Sequence, residues 1–259
     1  MDQQIKHYVD EPPINPYVET FFSSYASISP TELRQHLIHV RENAWKNFDY
    51  HCLGRWTFLD FSIRQSPIYN EIVDKCKNDG ATVIDFGCCL GQDIRQLAYD
   101  GVPLEQIRGY ELDPFFIQQG YELFRDENPM KEKKVFHSAD IFDDKLLETI
   151  EPADYVHVGS FIHLFDFETQ KDVCRRLARL SKNAIIGRQS GSEVAEEHSR
   201  HRRSNENSKR MRHSPESFRD MWNEVTNGQW QVEYANLKTI DDGDRVRVML
   251  SFVVRNTKL

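Results

Sequence analysis

Short apolar runs alternate with stretches of helical periodicity from about residue 81 onward. The apolar runs are rich in β-forming residues and cover positions 81–86, 107–112, 134–139, 154–159 and 183–188. The helical stretches lie between them, at positions 91–100, 114–127, 143–150 and 168–181. Five strands that alternate with helices in this way predict a parallel, doubly wound sheet with helices on both faces.

Two more apolar runs, at 230–237 and 246–255, follow near the end of the chain and are joined by the turn-forming residues 241–244. This pattern predicts a closing antiparallel hairpin. Together with the five parallel strands, the hairpin gives a seven-stranded, mostly parallel sheet with a reversed last strand. We therefore expect an α/β chain with the Rossmann-like class I methyltransferase fold.

The N-terminal third has a different pattern. Residues 1–28 are rich in proline, tyrosine and phenylalanine without a clear period, and they predict an irregular arm. Farther along, a capping residue followed by proline marks a helix start, because proline suits the first helical position. These pairs are Ser29-Pro30, Ser66-Pro67, Asp113-Pro114 and Ser214-Pro215. We expect an arm and helical cap over residues 1–78 and a cofactor-binding core over residues 79–259, effectively one domain.

Residues 188–213 carry many cations and few apolar side chains. The cations are Arg200, Arg202, Arg203, Lys209, Arg210 and Arg212. A charge run of this kind is typical of a solvated, mobile loop. Because the segment follows the fifth strand, at the ligand end of the sheet, a lid that supplies cations to an acidic substrate is the alternative.

Composition narrows the class of protein. The chain has 259 residues, 39% of them hydrophobic, which is enough for one large α/β domain with a core. Its net charge of −8 disfavours nucleic acid as a partner. No apolar window is long enough for a membrane span, and residues 1–13 do not resemble a signal peptide. The five cysteines are unpatterned, which favours reduced thiols and a cytoplasmic location.

The first strand of the predicted sheet leads into a glycine-containing loop, in the stretch TVIDFGCCLGQD at residues 82–93. Ligands of open α/β sheets bind at the carboxyl ends of the strands. Asp85 ends the apolar run, Gly87 lets the backbone pass close to a ligand, and Gly91 permits close packing of the next helix. The start of that helix suits an anion, including the carboxylate of a methionyl group.

Acidic residues also end the next two strands. Glu111 is placed to accept hydrogen bonds from both hydroxyls of a ribose, and Asp140 to accept from an adenine amino group. Ile141 and Phe142 would wall the adenine ring. Carboxylates after three successive strands suit the cationic sulfonium of S-adenosylmethionine and would repel a diphosphate. NAD is the alternative cofactor, but its G-x-G-x-x-G fingerprint fails because Cys89 stands at the middle glycine position.

The adjacent Cys88 and Cys89 do not predict thiol chemistry. A metal site needs several cysteine or histidine ligands at set spacing, and a redox site favours C-x-x-C. Neither pattern is present in the sequence. We interpret the pair as small side chains packed under the cofactor loop, and we expect no metal.

Several segments together resemble one family, the fungal methyltransferases of secondary-metabolite pathways, notably meroterpenoid (polyketide–terpenoid) biosynthesis. The segments are GRWTFLDFS (54–62), VIDFGCCLGQDIRQLAYDG (83–101), GYELDPFFIQQGYELFRD (109–126), SADIFD (138–143), GSFIHLFDFETQ (159–170) and HSPESFRDMWNEV (213–225). The D-x-G-C-C-x-G-Q-D loop is the most specific of these, and the similarity covers roughly residues 50–237.

The resemblance implies a function. Members of this family use S-adenosylmethionine, and several form methyl esters on a carboxylate of a small-molecule substrate. By position, Glu111-Leu112 would contact the ribose and Asp140-Ile141 the adenine. Glu111 departs from the commoner aspartate of such motifs, and its longer arm would shift the ribose. The arginine-rich segment 198–212 has no counterpart from which a substrate carries over.

Further residues are expected near the cofactor and the acceptor. Besides those already named, the predicted cofactor contacts are Tyr50 and Arg55 in the cap, Cys88 in the loop, and Gly159 at the end of the fourth strand. The predicted acceptor contacts are Trp56, Phe161, Gln189 and His213. For Trp56 the alternative is a core position, and for Arg55 a surface partner.

The acceptor decides whether a general base is required. A carboxylate is already ionised at pH 7 and needs none, whereas a phenol or alcohol does. His163, just after the fourth strand, is the candidate residue to orient or deprotonate the acceptor oxygen. Two other classes stay open: a non-catalytic binding subunit that keeps the fold, and a methyltransferase of nucleic acid or protein. The acidic charge and the absence of an N/D-P-P-Y motif disfavour the latter.

Overall fold

A computed structural model describes residues 8–201, 207–241 and 246–258. Its main feature is a seven-stranded sheet of β1 (Val83–Phe86), β2 (Ile107–Glu111), β3 (Phe136–Ser138), β4 (Ala153–Gly159), β5 (Ser181–Ser190), β8 (Trp230–Asp241) and β9 (Val246–Asn256). The order is β3-β2-β1-β4-β5-β9-β8. β1 to β5 are parallel, and β9 runs antiparallel to both of its neighbours. The expected fold with a reversed last strand is confirmed.

Helices cover both faces of the sheet, and the N-terminal helices pack on the loop that follows β1. They are α1 (Pro16–Tyr25), α2 (Pro30–Asn47), α3 (His51–Gly54), α4 (Tyr69–Asp79), α5 (Gln92–Tyr99), α6 (Pro114–Phe124), α7 (Glu127–Glu132), α8 (Asp144–Leu147), α9 (Phe167–Leu180) and α10 (Pro215–Thr226). Short 3-10 turns lie at Thr57–Asp60, Ser62–Gln65, Leu104–Gln106 and Ile162–Leu164. None of the described helices is long and apolar enough to cross a membrane.

Two expectations for the N-terminal third are wrong. The arm predicted to be irregular contains α1, whose start is capped by the Asn15 side chain accepting from the Val18 amide at 3.0 Å. Asn15-Pro16 is the same cap-plus-proline signal that was used elsewhere. Ser66-Pro67 does not start a helix, since α4 begins at Tyr69 after a turn. The aromatic composition hid the first signal, and local turn geometry overrode the second.

The segment expected as a mobile loop forms a second, two-stranded sheet in its described part. β6 (Glu196–His201) pairs antiparallel with β7 (Asn207–Arg212). Gly191 and His213 form a parallel bridge at the base of this hairpin, next to the end of β5. The cation-rich segment is therefore held at the carboxyl edge of the main sheet. Arg202 and Arg203 lie outside the described residues.

Two cations of this hairpin have acidic partners on the opposite strand. Lys209 Nζ lies 3.3 Å from a Glu197 oxygen, and Arg212 Nη1 lies 3.3 Å from a Glu196 oxygen. These pairs are partly exposed, so each contributes little to stability. Their charges are nevertheless balanced within the hairpin.

The sheet is buried between two apolar layers. Val156 and Ile185 pack with α9 and α10 on one face, and Tyr155 and Ile186 pack with α4 and α5 on the other. A third cluster unites α1 and α2 with α6, and Leu90 of the β1–α5 loop belongs to it. The helical cap therefore packs directly on the loop where the sequence places the cofactor.

One buried arginine joins these layers. Arg95 of α5 donates from Nε and Nη2 to the two carboxylate oxygens of Asp126, at 2.7 and 2.8 Å. Its Nη1 donates to the carbonyl oxygens of Leu90 and Gly91, at 2.7 and 3.2 Å. Tyr25 of α1 donates to the same Asp126 at 2.9 Å. The planar guanidinium suits this bidentate arrangement, which no lysine would reproduce.

Replacing Arg95 is expected to destabilise the whole molecule. Arg95→Met keeps the alkyl chain but leaves the Asp126 carboxylate buried without its cation, so we expect a loss of about 3–5 kcal/mol in unfolding free energy. Urea unfolding followed by circular dichroism measures it. Arg34→Met, which removes an exposed ion pair to Glu11, is the matched control and should leave the midpoint unchanged. A midpoint for Arg95→Met equal to that of the control would contradict the role given to Arg95.

Candidate cofactor and acceptor site

The β1–α5 loop is held by the backbone of β2 beside it. The amides of Gly87 and Cys88 both donate to the carbonyl oxygen of Tyr110, at 2.8 and 3.0 Å. Gly87, Cys89 and Gly91 have left-handed φ angles of 76°, 51° and 70°. Such angles favour glycine, so the two glycines belong to the path of this turn. Gly91 precedes the first turn of α5, whose N-terminus faces the carboxyl edge of the sheet.

Glu111 closes one side of this loop. Its side chain is 7% exposed and accepts from the backbone amides of Cys89 and Asp113, at 2.9 and 3.2 Å. Burial raises the pKa of Glu111, and the backbone donors oppose that shift. The extra methylene relative to aspartate lets the carboxylate reach back to the loop. The end of β2 therefore presents an acceptor pair next to the glycine-containing turn.

Two exposed apolar side chains lie along the neighbouring strand ends. Leu112 is 61% exposed and Phe142 is 38% exposed, while Ile141 is buried. Between them, the Asp140 carboxylate accepts from the Phe142 amide at 2.9 Å. Ser138 Oγ donates to the Leu112 carbonyl at 3.0 Å and ties the two strand ends together. Apolar walls around a few polar groups are typical of a small-molecule site.

A row of aromatic rings leads from the loop toward this region. The ring centroids of Phe86 and Phe161 are 6.0 Å apart, those of Phe161 and Phe165 are 5.5 Å apart, and those of Phe165 and Phe142 are 5.5 Å apart. A Cβ added at Gly87 would lie 2.5 Å from the Phe161 ring. The predicted acceptor residue Phe161 therefore packs directly on the cofactor loop.

Asp85 differs from the other strand-end carboxylates because it is enclosed. Its Oδ1 lies 2.8 Å from Nδ1 of His157, and both side chains are 1% exposed. Its Oδ2 is buried and accepts no hydrogen bond from the residues that the structure describes. A buried carboxylate oxygen without a donor is costly unless a cationic ligand meets it.

His157 was not among the residues expected from the sequence, since a histidine in a buried strand gives no signal of its own. With Asp85 and Asp93 it forms the one group of metal-ligand type found among the described side chains. The same three residues are already linked by hydrogen bonds through Ser62. The expectation that the protein uses no metal stays a prediction.

The two cysteines of the loop have raised pKa values. Burial raises the pKa of the Cys88 thiol well above its ordinary value, and contact with the Cys52 thiol does the same for Cys89. The Cys88 sulfur lies 3.1 Å from where a Cβ of Gly109 would stand, so it packs against the backbone of β2. Protonated thiols are poor nucleophiles and poor metal ligands. These contacts agree with the interpretation of the pair as packing residues.

The acceptor side is built from the ends of β4 and β5. His163 is half-buried in the short 3-10 turn Ile162–Leu164 that follows β4. Gln189 of β5 is fully buried, and neither of its amide atoms has a partner among the described residues. The structure thus places both expected acceptor residues at the carboxyl edge of the sheet.

His213 is also buried, at the base of the hairpin. Its Nδ1 lies 2.9 Å from Ser217 Oγ and its Nε2 lies 3.0 Å from Gln170 Oε1. Burial lowers the pKa of His213 to about 4, so the ring is neutral at pH 7. Both nitrogens are engaged inside the protein.

The cap residues of the expected site occupy different surroundings. Trp56 is 1% exposed, and its Nε1 donates to the Val9 carbonyl at 2.8 Å, which places the indole in the core of the cap. Tyr50 is half-buried, with its ring centroid 5.1 Å from that of Phe116. Arg55 is half-buried directly after α3. The structure therefore gives Trp56 the core position that was its alternative.

An ion pair not expected from the sequence joins the cap to the sheet. Arg188 of β5 donates from Nη2 to Asp60 at 2.7 Å and from Nη1 to Gln65 at 3.1 Å. Arg188 lies opposite Gly159 in the β4–β5 register. A Cβ at Gly159 would meet His157 at 3.0 Å and Ser62 at 3.1 Å. Gly159 thus marks where the cap segment touches the strand end.

The site fits the parts of S-adenosylmethionine. The cofactor's ammonium would suit the unpartnered, buried oxygen of Asp85, its ribose diol the carboxylate oxygens of Glu111, and its adenine the apolar side chains around Asp140. The chemistry of these side chains therefore agrees with the cofactor expected from the sequence.

Comparisons with known proteins identify the family of this chain. A family model described as the meroterpenoid methyltransferase N-terminal domain matches residues 7–59. The O-methyltransferase phiE of a fungal species is 33% identical over 247 residues, which are 92% of this chain and 78% of phiE. The O-methyltransferase atr3 of Stereocaulon alpinum is 35% identical over 230 residues, 85% of this chain but only 65% of atr3.

Among solved structures, magnesium protoporphyrin IX methyltransferase from Synechocystis PCC 6803 with bound SAH matches 73% of this chain and 81% of its own. The sequence identity is 12% and the TM-score is 0.49. The family itself rests on the similarity to phiE, which extends over most of both chains. The protein belongs to the S-adenosylmethionine-dependent methyltransferases of fungal secondary metabolism.

Proposed function

We propose that this chain methylates an oxygen atom of a small-molecule secondary metabolite, and that the product is a methyl ester on a carboxylate of a polyketide or terpenoid intermediate. The proposal that the acceptor atom is oxygen is based on the similarity to phiE, an O-methyltransferase, over 92% of this chain. The meroterpenoid family model supports the substrate class.

A carboxylate acceptor suits the acceptor side of the site. A carboxylate is ionised at pH 7, so the reaction needs alignment more than proton transfer. Of the two histidines there, His213 is neutral and has both nitrogens engaged. The buried Gln189 amide has hydrogen-bonding capacity that the described residues do not use, and it would orient an acceptor oxygen.

The cofactor supplies an electrophilic methyl group on its sulfonium. In our proposal Glu111 holds the ribose hydroxyls, Asp140 accepts from the adenine amino group, and Ile141 and Phe142 flank the ring. The Phe161 ring lies between the loop and the 3-10 turn that carries His163, where it would exclude water. These residues bind and orient, which is the main requirement of an in-line displacement.

A phenol or alcohol acceptor is the second candidate. The observation that favours it is the position of His163, half-buried directly beyond β4 at the acceptor end. In that reaction His163 would take the hydroxyl proton as a general base. The same geometry would let His163 simply orient a carboxylate.

We also propose that residues 1–78 act with the core as one unit and cover the cofactor. The Arg188–Asp60 pair at 2.7 Å joins the two parts at the end of β5. Ser62 and Ile63 of the cap donate to Asp93 of α5, at 3.2 and 2.8 Å. The hairpin of β6 and β7 would form the lid on the opposite side, since Met211 donates its amide to the Phe165 carbonyl at 3.1 Å.

Glu111→Gln is expected to weaken cofactor binding. A glutamine offers one acceptor oxygen where a diol needs two, and it lacks the charge. Since a hydrogen bond to a charged group contributes about 1.5–3 kcal/mol, the Kd for S-adenosylhomocysteine should rise about tenfold or more. Isothermal titration calorimetry measures it. Glu122→Gln, on the exposed face of α6, is the matched control. A Kd within twofold of wild type, about 0.4 kcal/mol, would remove Glu111 from the site.

The acceptor is identified by the stability of the product. We expect the protein to transfer a trideuteromethyl group to an aromatic polyketide acid that carries both a carboxyl and a phenol. Mild alkali should then release the label, because esters hydrolyse and aryl ethers do not. Mass spectrometry before and after alkali measures this. If the label survives alkali, the acceptor is the phenol and not the carboxylate.

His163→Ala separates the two acceptor classes by rate. For a carboxylate we expect kcat/KM to fall by less than about tenfold, since no proton is moved in the reaction. For a phenol the loss should be about 100-fold or more, because a general base contributes that much. His39→Ala, on the exposed face of α2, is the control. Steady-state rates near pH 7 distinguish the two acceptor classes. A wild-type rate in the variant would show that His163 neither deprotonates a phenol nor orients a carboxylate.

A further inference from the structure

A continuous hydrogen-bonded chain runs beneath the cofactor loop from the cap to β1. Ser62 Oγ donates to Asp93 Oδ2 at 3.2 Å and lies 3.4 Å from His157 Nε2. His157 Nδ1 lies 2.8 Å from Asp85 Oδ1. Asp93, His157 and Asp85 are each 1% exposed. Four side chains from four elements thus meet in a place closed to bulk water.

The carboxylates of this chain outnumber its one titratable cationic group, His157. The groups that face the imidazole are Asp85 of β1, Asp93 of α5 and Arg188 of β5. Arg188 is 2.7 Å from Asp60, which offsets its charge. Two buried carboxylates therefore face one imidazole, and low-dielectric surroundings strengthen their effect on it.

The protonation of each group follows from this arrangement. Burial lowers the pKa of His157, but the negative charges of Asp85 and Asp93 outweigh burial and raise it overall. The pKa of Asp85 is raised overall, because burial has the largest effect and the charge of Asp93 adds to it, while His157 opposes the shift through its charge and its hydrogen bond. The Cys88 thiol beside Asp85 stays protonated, because burial raises its pKa. His157 is thus the one side chain able to carry a positive charge that is hydrogen-bonded to Asp85 among the described residues.

We propose that His157 is a positioning residue for the cofactor: its imidazolium keeps Asp85 ionised and holds Oδ1, so that Oδ2 accepts from the methionyl ammonium of S-adenosylmethionine. This inference rests on the proposed placement of the cofactor at the β1–α5 loop. The buried Oδ2 of Asp85, which has no hydrogen-bond donor among the described residues, is the observation that points to a cationic group. The hydrogen bond to His157 leaves the carboxylate one rotational orientation, so Oδ2 faces the ligand without an entropic cost at binding.

The chain also connects the cap to this carboxylate. The Ile63 amide donates to Asp93 Oδ1 at 2.8 Å, and Gln92 Nε2 donates to Oδ2 at 2.9 Å. Asp93 is therefore held by a cap turn and by the first turn of α5 together. Because Asp93 in turn supports the charge of His157, the methionyl end is complete only when the cap is seated on α5.

The variant His157→Asn tests the charge while keeping the shape. Its side-chain amide replaces Nδ1 as donor to Asp85 but carries no charge. We expect wild-type Kd values for S-adenosylhomocysteine to vary less than about threefold between about pH 5.5 and 7.0, where the ligand ammonium stays protonated. In the variant, Asp85 lacks the positive charge that opposes its protonation, so the Kd should rise more steeply than that of the wild type as the pH is lowered. Calorimetry over the pH series gives the slope of log Kd against pH for the wild type and for the variant.

A residue with only a packing role would shift the Kd equally at every pH. Parallel slopes for wild type and His157→Asn would therefore overturn the proposal. His39→Asn, in the exposed part of α2, is the control and should follow the wild type. Failure of the wild type to bind S-adenosylhomocysteine at any pH would instead refute the cofactor placement itself.

A second measurement uses the wild type alone, in case the variant does not fold. Nitrogen-15 NMR of histidine-labelled protein distinguishes imidazolium from neutral imidazole. We expect one buried histidine to remain doubly protonated at about pH 7.5, above the ordinary histidine pKa of about 6.5. Its signal should shift when S-adenosylhomocysteine is added. If every histidine in the spectrum is neutral at that pH, His157 does not hold the charge.

Discussion

The bidentate contact between Arg95 and Asp126 holds the candidate site in place. One guanidinium binds a carboxylate after α6, the two carbonyl groups that end the cofactor loop, and, through Asp126, the hydroxyl of Tyr25 in α1. The Cζ atom of Arg95 lies 4.4 Å from the centroid of the Phe124 ring and 4.7 Å from the centroid of the Phe136 ring. The geometry of this buried ion pair is constrained, because moving the two charges apart would leave a buried charge without its partner, at a large cost in folding free energy. The loop, the cap and the second and third strands are thereby ordered together.

A second buried set of charges, Asp85, His157 and Asp93, is not completed by the described residues of the protein. Asp85, His157 and Asp93 are as enclosed as Arg95 and Asp126, but they leave one carboxylate oxygen without a donor. Buried polar groups that serve only stability normally have all of their hydrogen-bond partners inside the protein, as Arg95 and Asp126 do. A buried group that lacks a partner, such as Asp85, is a candidate for binding a ligand. The cap contributes to both networks, through Tyr25 and through Ser62.

The cysteine pair is explained by packing. Cys88 points under β2, beside Gly109, and Cys89 occupies a left-handed turn while its amide binds Glu111. In a dinucleotide-binding loop a glycine at the second position would leave room for a pyrophosphate. Here the side chain of Cys89 packs with the cap, and the longer Glu111 reaches its amide. Loop, carboxylate and cap are thus matched to one another, as the similarity to fungal secondary-metabolite methyltransferases suggests.

The sequence by itself determined the sheet, its reversed last strand and the three strand-end carboxylates, because strand alternation and strand-end position are local patterns with a fixed period. It did not show α1, whose aromatic composition masked a cap-plus-proline start, or the β6–β7 pairing, because antiparallel register depends on side chains brought together by folding. Only the tertiary structure placed Trp56 in the cap core and set His157 beside Asp85, residues 72 positions apart. The charge of a buried group depends on which other charges surround it, and no local pattern in the sequence specifies those neighbours.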